Sequence, residues 1–474
     1  MNAQSLNTPM VSGCDPMPAA LAIQPQPAPL PLAPVGAKTV ALDFEGGRLS
    51  SDAGVVLLKD IDDQLGLTHN LAAVLSDPRD PRRLHFTVED LLKQRVFQIA
   101  AGYEDANDAN TLRDDPIFKL MLGRLPETGT PLASQPTISR FENRVSRTEL
   151  YRMARVLLEQ FITSYTKPPP VIVLDVDDTE DPVHGEQEQA RYDGYYGGYC
   201  FMPLHLYEGL SGRLITTILK AKRFTGAQMR SVLKRLVKHL RQAWPDTLLI
   251  FRGDSHFAYP EVMQWIEDQP NLNYVSGLTS NAVLTKLAHE VVEQAKRAYA
   301  YDGGKITRFH STRYQAATWA RSRRVVIKVE VSDQGVNTRF VVTDLEQARA
   351  KVLYRQIYCA RGQAENEIKD HKLYLKSDRT SCHRFTANQF RLLLHSAAYV
   401  LVETLRREVL RTTQWASATM ETIQLRLFKL GARVQEGKER IKISLPASCP
   451  VALVLQRSLT LLAYVRPDRS CARH

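Results

Sequence analysis

Lys167-Pro-Pro-Pro-Val-Ile-Val-Leu-Asp-Val-Asp-Asp-Thr179 is the stretch on which the fold turns. Three consecutive prolines, Pro168–Pro170, cannot extend a helix, because each lacks an amide hydrogen and crowds the preceding turn. They close whatever precedes them. Val171–Val176 is then an apolar, β-branched run broken only by Asp175, the pattern of a buried strand. Three carboxylates, Asp175, Asp177 and Asp178, crowd its far end.

Downstream, Tyr199–Tyr207 and Arg213–Ala221 read as two further strands and Gln228–Trp244 as a basic amphipathic helix. Thr247–Phe251 is another buried strand, Tyr259–Glu267 a helix, and Tyr274–Gly277 a short strand. The order β-β-β-α-β-α-β is that of a ribonuclease-H-like α/β core. Asp177 lies just beyond the first strand and Asp254 just beyond the fourth. Those strands are neighbours in such a sheet, so both carboxylates emerge at one edge. Residues 278–350 break the alternation, and Arg324–Val331 and Arg339–Thr343 predict a β-rich insertion there. A long helix follows from about Leu353 to Lys372 and carries Glu365 toward the same edge. The core thus spans 168–277 and 351–400. Helices from Ala387 to about Leu430 and a strand at Arg440–Leu445 follow, within a C-terminal region of 401–474.

Upstream, residues 38–167 read as a helical domain. Thr87 and Asp90 make a capping-box-like start, and Val88, Leu91, Leu92, Val96 and Ile99 recur at helical spacing. Ser134-Gln-Pro-Thr-Ile-Ser-Arg-Phe-Glu-Asn143 places Pro136 in a first turn. It reads either as the second helix of a helix-turn-helix, with Arg140 as a DNA contact, or as an ordinary connecting helix. Residues 1–37, rich in Pro, Ala and Gln, predict a disordered tail.

Lys and Arg number 62 against 51 acids, a net charge of +11. A surplus of that size favours a polyanionic partner, although many basic proteins merely carry a solvated positive surface. No apolar run approaches the roughly 18 residues that cross a bilayer. The proline-filled Met17–Pro34 lacks the basic leader of a signal peptide. Six scattered cysteines, without a C-x-x-C pair, fit reduced thiols in the cytoplasm.

Three converging carboxylates repel unless cations sit between them, which is how hard oxygen ligands build a magnesium site. On a regular helix Tyr358, Arg361, Glu365 and Lys372 fall within roughly a 60° arc at about 100° per residue. That face suits a phosphate backbone across a metal ligand, or it is a solvated ladder of Arg–Glu and Glu–Lys pairs.

Tyr358-x-x-Arg361-x-x-x-Glu365-x-x-x-x-x-x-Lys372 resembles the tyrosine-arginine-glutamate-lysine signature of bacterial insertion-sequence transposases of the DDE type. Neighbouring words resemble the insertion-sequence thirteen-eighty family: Leu174-Asp-Val-Asp-Asp-Thr179, Val183-His-Gly-Glu-Gln187, Phe251-Arg-Gly-Asp-Ser255 and Tyr358-Cys-Ala-Arg-Gly-Gln-Ala-Glu-Asn366. Gly102-Tyr-Glu-Asp105 and the Ser134–Asn143 word are similar too, so the resemblance runs from about Val40 to beyond Leu430. It implies a ribonuclease-H-like catalytic domain with a β insertion between the second Asp and the Glu. The Asp-x-Thr pattern selects Asp177 with Thr179, and Asp178 is the first substitute.

Asp177, Asp254 and Glu365 would then be catalytic metal ligands for two Mg²⁺ ions, with Mn²⁺ as substitute. Arg361 and Lys372 would meet phosphates, and Tyr358 a sugar or base. The expected partners are double-stranded DNA, as element ends and target, and a second copy of the chain in the DNA complex. A bacterial, nucleoid-associated location in the cytoplasm and no membrane follow from the same resemblance. Rival readings are a non-cutting DNA-binding repressor, an inactive transposase remnant, and a haloacid-dehalogenase-type phosphatase with Asp175 as nucleophile. The last needs an acid at position 258, where this chain has Ala258.

Overall fold

The computed structural model describes residues 30–465, in two units that divide after Gly47. The first is an antiparallel hairpin, Leu30–Val35 with Lys38–Leu42, turning at Gly36 with φ +59°. Residues 1–29 of the expected tail lie outside the described residues, but its end is a strand rather than disordered. Pro31 and Pro34 are tolerated because both strands of a two-stranded sheet are edges.

In the second unit the upstream part is helical. Its main helices are α1 (Val56–Leu65), α2 (Val88–Ala100), α3 (Gln135–Asn143) and α4 (Arg147–Thr163). The Thr87–Asp90 capping box forms, with reciprocal bonds of 3.0 and 2.9 Å. The helix before α3 ends at Met121, too far back for the tight turn of a helix-turn-helix. Only Arg144–Ser146 separate α3 from α4, so α3 is the first helix of that pair and not the second. Arg140 is exposed on α3, and Arg147, Arg152 and Arg155 are exposed on α4.

After the prolines comes an eight-stranded sheet. Its strands are β1 (Val171–Asp178), β2 (Leu204–Glu208), β3 (Leu214–Ile218), β4 (Leu248–Gly253), β5 (Leu272–Leu278), β6 (Ile306–Tyr314), β7 (Arg323–Ser332) and β8 (Gly335–Thr343). Their spatial order is β6-β7-β8-β5-β4-β1-β2-β3. β4 runs parallel to both β1 and β5, and every other pair is antiparallel. Helices α5 (Gly226–Ala243), α6 (Pro260–Glu267) and α7 (Ala282–Asp302) complete this part.

Two expectations need correction. Tyr199–Tyr207 is not one strand, because Pro203 cannot join a ladder. Gly198–Phe201 pairs instead with Asp181–Pro182 and Arg191–Asp193 in a small separate sheet. Residues 278–350 open with helix α7, whose Leu284, Ala288, Val291 and Ala295 face the core at helical spacing. The strands after it extend the main sheet beyond β5.

Alternation along β1 assigns the sheet's two faces. Ile172, Leu174 and Val176 join Met229 and Leu233 of α5 and Val262 and Ile266 of α6 in one core. Val173 points the other way, with Ile250, Val275, Val326, Val341 and Leu353. On that second face the chain is helical from Ala350 to Tyr374, but regular only in the single turn Ala350–Val352 and in α8 (Gly362–Lys369). Leu353–Tyr358 and Asp370–Tyr374 are wound as π turns, and Cys359–Arg361 as a 3₁₀ turn.

Helix α9 (Phe385–Thr404) is buried over nearly its whole length and forms the spine of the other main core. Leu58 of α1, Leu92 and Phe97 of α2, and Phe141 of α3 share that core with Phe390, Leu394 and Leu401 of α9. The upstream helices therefore close on a helix more than 200 residues later in the chain. The expected strand near the C-terminus is Ile441–Ser444, paired with Ala432–Glu436, which in turn meets Leu49–Ser50.

Candidate active site

Register brings two of the carboxylates together. Arg252 on β4 lies beside Asp175 on β1, and Gly253 beside Val176. One further step along the parallel pair sets Asp254 abreast of Asp177. Asp175, Asp177, Arg252 and Asp254 share the alternation phase of Val173 and Ile250, so they belong to the face covered by the Ala350–Tyr374 helix.

Each acid at this edge meets different company. Asp175 is fully buried, and both its oxygens accept from the Nε and Nη2 of Arg252. Arg252 also donates through Nη1 to the Ile357 carbonyl, which ties both strands to the helical segment above them. No room is left for a substrate at Asp175, which removes the phosphatase reading. Asp178, on the opposite face, is paired with Lys220, itself nearly buried.

Asp177 accepts from Arg361 Nη1 at 2.9 Å and from the Asp178 amide at 2.9 Å. Arg361 Nη2 donates at 2.9 Å to Glu365, whose side chain is 55% exposed. Asp254 caps the short turn that follows it, accepting from the His256 amide at 2.8 Å and meeting its Nδ1 at 3.0 Å. Asp177 and Glu365 thus share one guanidinium, and Asp254 is paired only with the exposed His256. Burial, and then the nearby Asp254, outweigh Arg361 and push the Asp177 carboxyl up to about 6.

The remaining predicted residues reach the same edge by another route than a regular helix face. The π turns add a residue per turn and shift the angular count, so the 60° arc does not hold through them. Lys372 donates to the Thr179 hydroxyl at 3.3 Å and to the Glu180 carbonyl, just past the end of β1. The Tyr358 ring packs on Tyr354 at 5.6 Å, and a Cβ on Gly277 would stand 2.7 Å from its hydroxyl. Only glycine fits there. Arg140 lies away from these residues, on α3, bonded to Thr137 at 3.2 Å.

Arg252, Lys220 and His256 join the site although the sequence pattern does not point to them. A charged residue directly after the apolar Leu248–Phe251 run, still within the strand, is the available signal for Arg252, since a buried charge demands a partner.

Among the described residues, no three His, Cys, Asp or Glu side chains are gathered closely enough to hold a metal ion. The Arg361 guanidinium instead supplies the positive charge between Asp177 and Glu365. The donor chemistry suits a divalent cation: hard carboxylate oxygens, one held above its usual range by burial and by a like charge, which a cation would relieve.

Among the described residues no helix is long and apolar enough to cross a membrane. A family model described as "Transposase DDE domain group 1" matches residues 32–467. No curated protein matches the chain. Among solved structures, a cryo-EM structure of the piggyBac transposase synaptic complex with hairpin DNA is a remote likeness, with a TM-score of 0.41 and 11% identity over 81% of this chain and 82% of that one.

Proposed function

Because the chain belongs to the transposase DDE domain group 1 family, we propose that it cuts DNA at the terminal inverted repeats of an insertion sequence and joins the freed 3′ ends to target DNA. The observation that carries this reading is the placement of Asp177 and Asp254 abreast on parallel neighbouring strands, with Arg361 linking Asp177 to Glu365. Order β3-β2-β1-β4-β5, with β1, β4 and β5 parallel, supports a ribonuclease-H-like core, and the stretch from α7 through β8 takes the place of the insertion. The tyrosine-arginine-glutamate-lysine signature and membership of the insertion-sequence thirteen-eighty family belong to the same proposal.

Asp177, Asp254 and Glu365 would hold divalent ions, Mg²⁺ or Mn²⁺. When bound, two such ions steady the attacking and leaving oxygens of an in-line phosphoryl displacement. The chain's own groups do the rest. Asp175 and Arg252 hold β1, β4 and the Ile357 turn in fixed relation, so that the ligand carboxylates are pre-positioned. Arg361 exchanges part of its carboxylate bonding for a phosphate oxygen, to which its planar fork is matched. Lys372 neutralises a neighbouring phosphate while it holds the Thr179–Glu180 turn. Tyr358 packs against sugar or base. End recognition falls to the helical part, with Arg140 on α3 and the exposed arginines of α4 as DNA contacts, and two copies act together on two ends.

Purified protein incubated with DNA carrying its element's ends tests the reading. Nicking with Mg²⁺ and none with chelator is expected. Tight end binding without cleavage in any divalent metal would favour a repressor or an inactive remnant.

A further inference from the structure

Between the end of β1 and the start of β2 the chain leaves the main sheet and forms a small tyrosine-rich hairpin, Arg191–Asp193 paired with Gly198–Phe201. Within eight residues stand Tyr192, Tyr195, Tyr196 and Tyr199. Tyr192 is 62% exposed, Tyr195 85% and Tyr199 61%. Tyr192 and Tyr199 face each other across the strands at 5.8 Å, and Tyr195 meets Tyr196 edge-on at 4.9 Å. The loop that carries the second pair is fixed, with the Tyr195 amide on Asp193 Oδ1 and the Gly197 amide on the Asp193 carbonyl, both at 2.9 Å.

A cross-strand aromatic pair has an ordinary use, since it steadies a hairpin of two short strands by a few tenths to about 1 kcal/mol. That accounts for Tyr192 and Tyr199. It does not account for Tyr195, the most exposed of the three, at the tip. Scattered single apolar residues on a surface need no explanation, but contiguous rings on one small element mark a contact surface. The hairpin's location narrows the partner. Its second strand, Gly198–Phe201, also pairs with Asp181–Pro182, directly after the Thr179–Glu180 turn that Lys372 holds. The hairpin therefore stands beside the carboxylate edge. The hairpin itself carries one charge of each sign, Arg191 and Asp193, against four tyrosines, so its exposed surface is better suited to the flat faces of bases than to phosphates alone. Arg223 supplies positive charge beside Tyr196.

We propose that Tyr192, Tyr195 and Tyr199 form a stacking platform for unpaired bases of the DNA strand next to the phosphate being cut. This rests on the transposase reading above. Aromatic rings accept any base, so the platform would hold the strand in place without reading its sequence.

The test uses the full-length protein and end DNA with a single-stranded flank carrying 2-aminopurine beside the cut site. Binding should quench the probe. A Tyr192→Phe, Tyr195→Phe, Tyr199→Phe protein should quench it equally. The corresponding triple alanine and triple leucine proteins should not, and should bind the single-stranded flank roughly tenfold more weakly per ring lost, with blunt duplex binding unchanged. Undiminished quenching by the alanine protein with intact cleavage would overturn the platform alone. So would a change in the alanine protein's mass in solution, which would assign the rings to a second copy of the chain. Wild-type protein that neither binds nor cuts end DNA would overturn the functional reading as well.

Discussion

Asp177→Asn should make the metal-free protein more stable, and the gain should grow with pH. The folded protein holds the Asp177 carboxyl at about 6 instead of the ordinary 3.8, because it is buried and shares its strand edge with Asp254. Below pH 3.8 the group is protonated in the folded and unfolded chain alike, and nothing is lost. As pH rises through 6, the folded state must ionise a carboxyl that the unfolded state ionised earlier, so stability is lost across that window. About two pH units at about 1.4 kcal/mol each give a penalty of about 3 kcal/mol at neutral pH. Asparagine resembles the protonated acid in shape and never ionises. Urea denaturation in chelator should therefore show the variant ahead of wild type by about 1.5 kcal/mol at pH 5 and by about 3 kcal/mol at pH 7.5. Millimolar Mg²⁺ should then close or reverse the gap, because only wild type gains the stabilisation of a bound ligand. A variant less stable than wild type at pH 7.5 in chelator, or one whose advantage does not change between pH 5 and 7.5, would refute the reasoning.

Arg252→Met should destabilise the protein by about 3–5 kcal/mol, since it leaves the buried Asp175 carboxylate unpaired; the Arg252→Met, Asp175→Leu double variant should recover much of that in thermal unfolding. Gly277→Ala should cost about 1–3 kcal/mol, because the added methyl meets the Tyr358 hydroxyl and the Ser255 amide at 2.7 and 2.8 Å; Tyr358→Phe should restore part of the loss. A fragment ending at residue 167 should fail to fold, because Phe97 and Phe141 lose α9, and circular dichroism would reveal the missing helix. End binding should weaken linearly in log–log form as salt rises, and Arg140→Ala should lower the slope by about one contact.

Much of the catalytic half was legible because burial writes itself into strands. Val171–Val176 and Leu248–Gly253 are mostly apolar stretches that run into Asp177 and Asp254, and two such strands side by side leave little freedom in where those acids emerge. Arg361 and Glu365 could be paired from their spacing of four within one helix. The Asp175–Arg252 pair was out of reach, because the residues stand 77 positions apart and meet only once strand register is set. π turns carry no periodicity of their own, so the winding before and after α8 could not be read from apolar spacing. The upstream helices look like a domain by themselves, since their apolar stripes do not say which partner covers them. That partner, α9, begins only at Phe385.

The central claim is that Asp177, Asp254 and Glu365 form one metal-dependent DNA-cutting site. The most direct measurement assays wild type, Asp177→Asn, Asp254→Asn, Glu365→Gln and Asp178→Asn side by side for end binding by mobility shift and for Mg²⁺-dependent nicking. All five should bind end DNA with similar affinity. The first three variants should show no nicking above the chelator control, while Asp178→Asn, whose side chain lies on the opposite face against Lys220, should keep most of it. Full nicking by any of the first three variants, with Asp178→Asn inactive, would contradict the account.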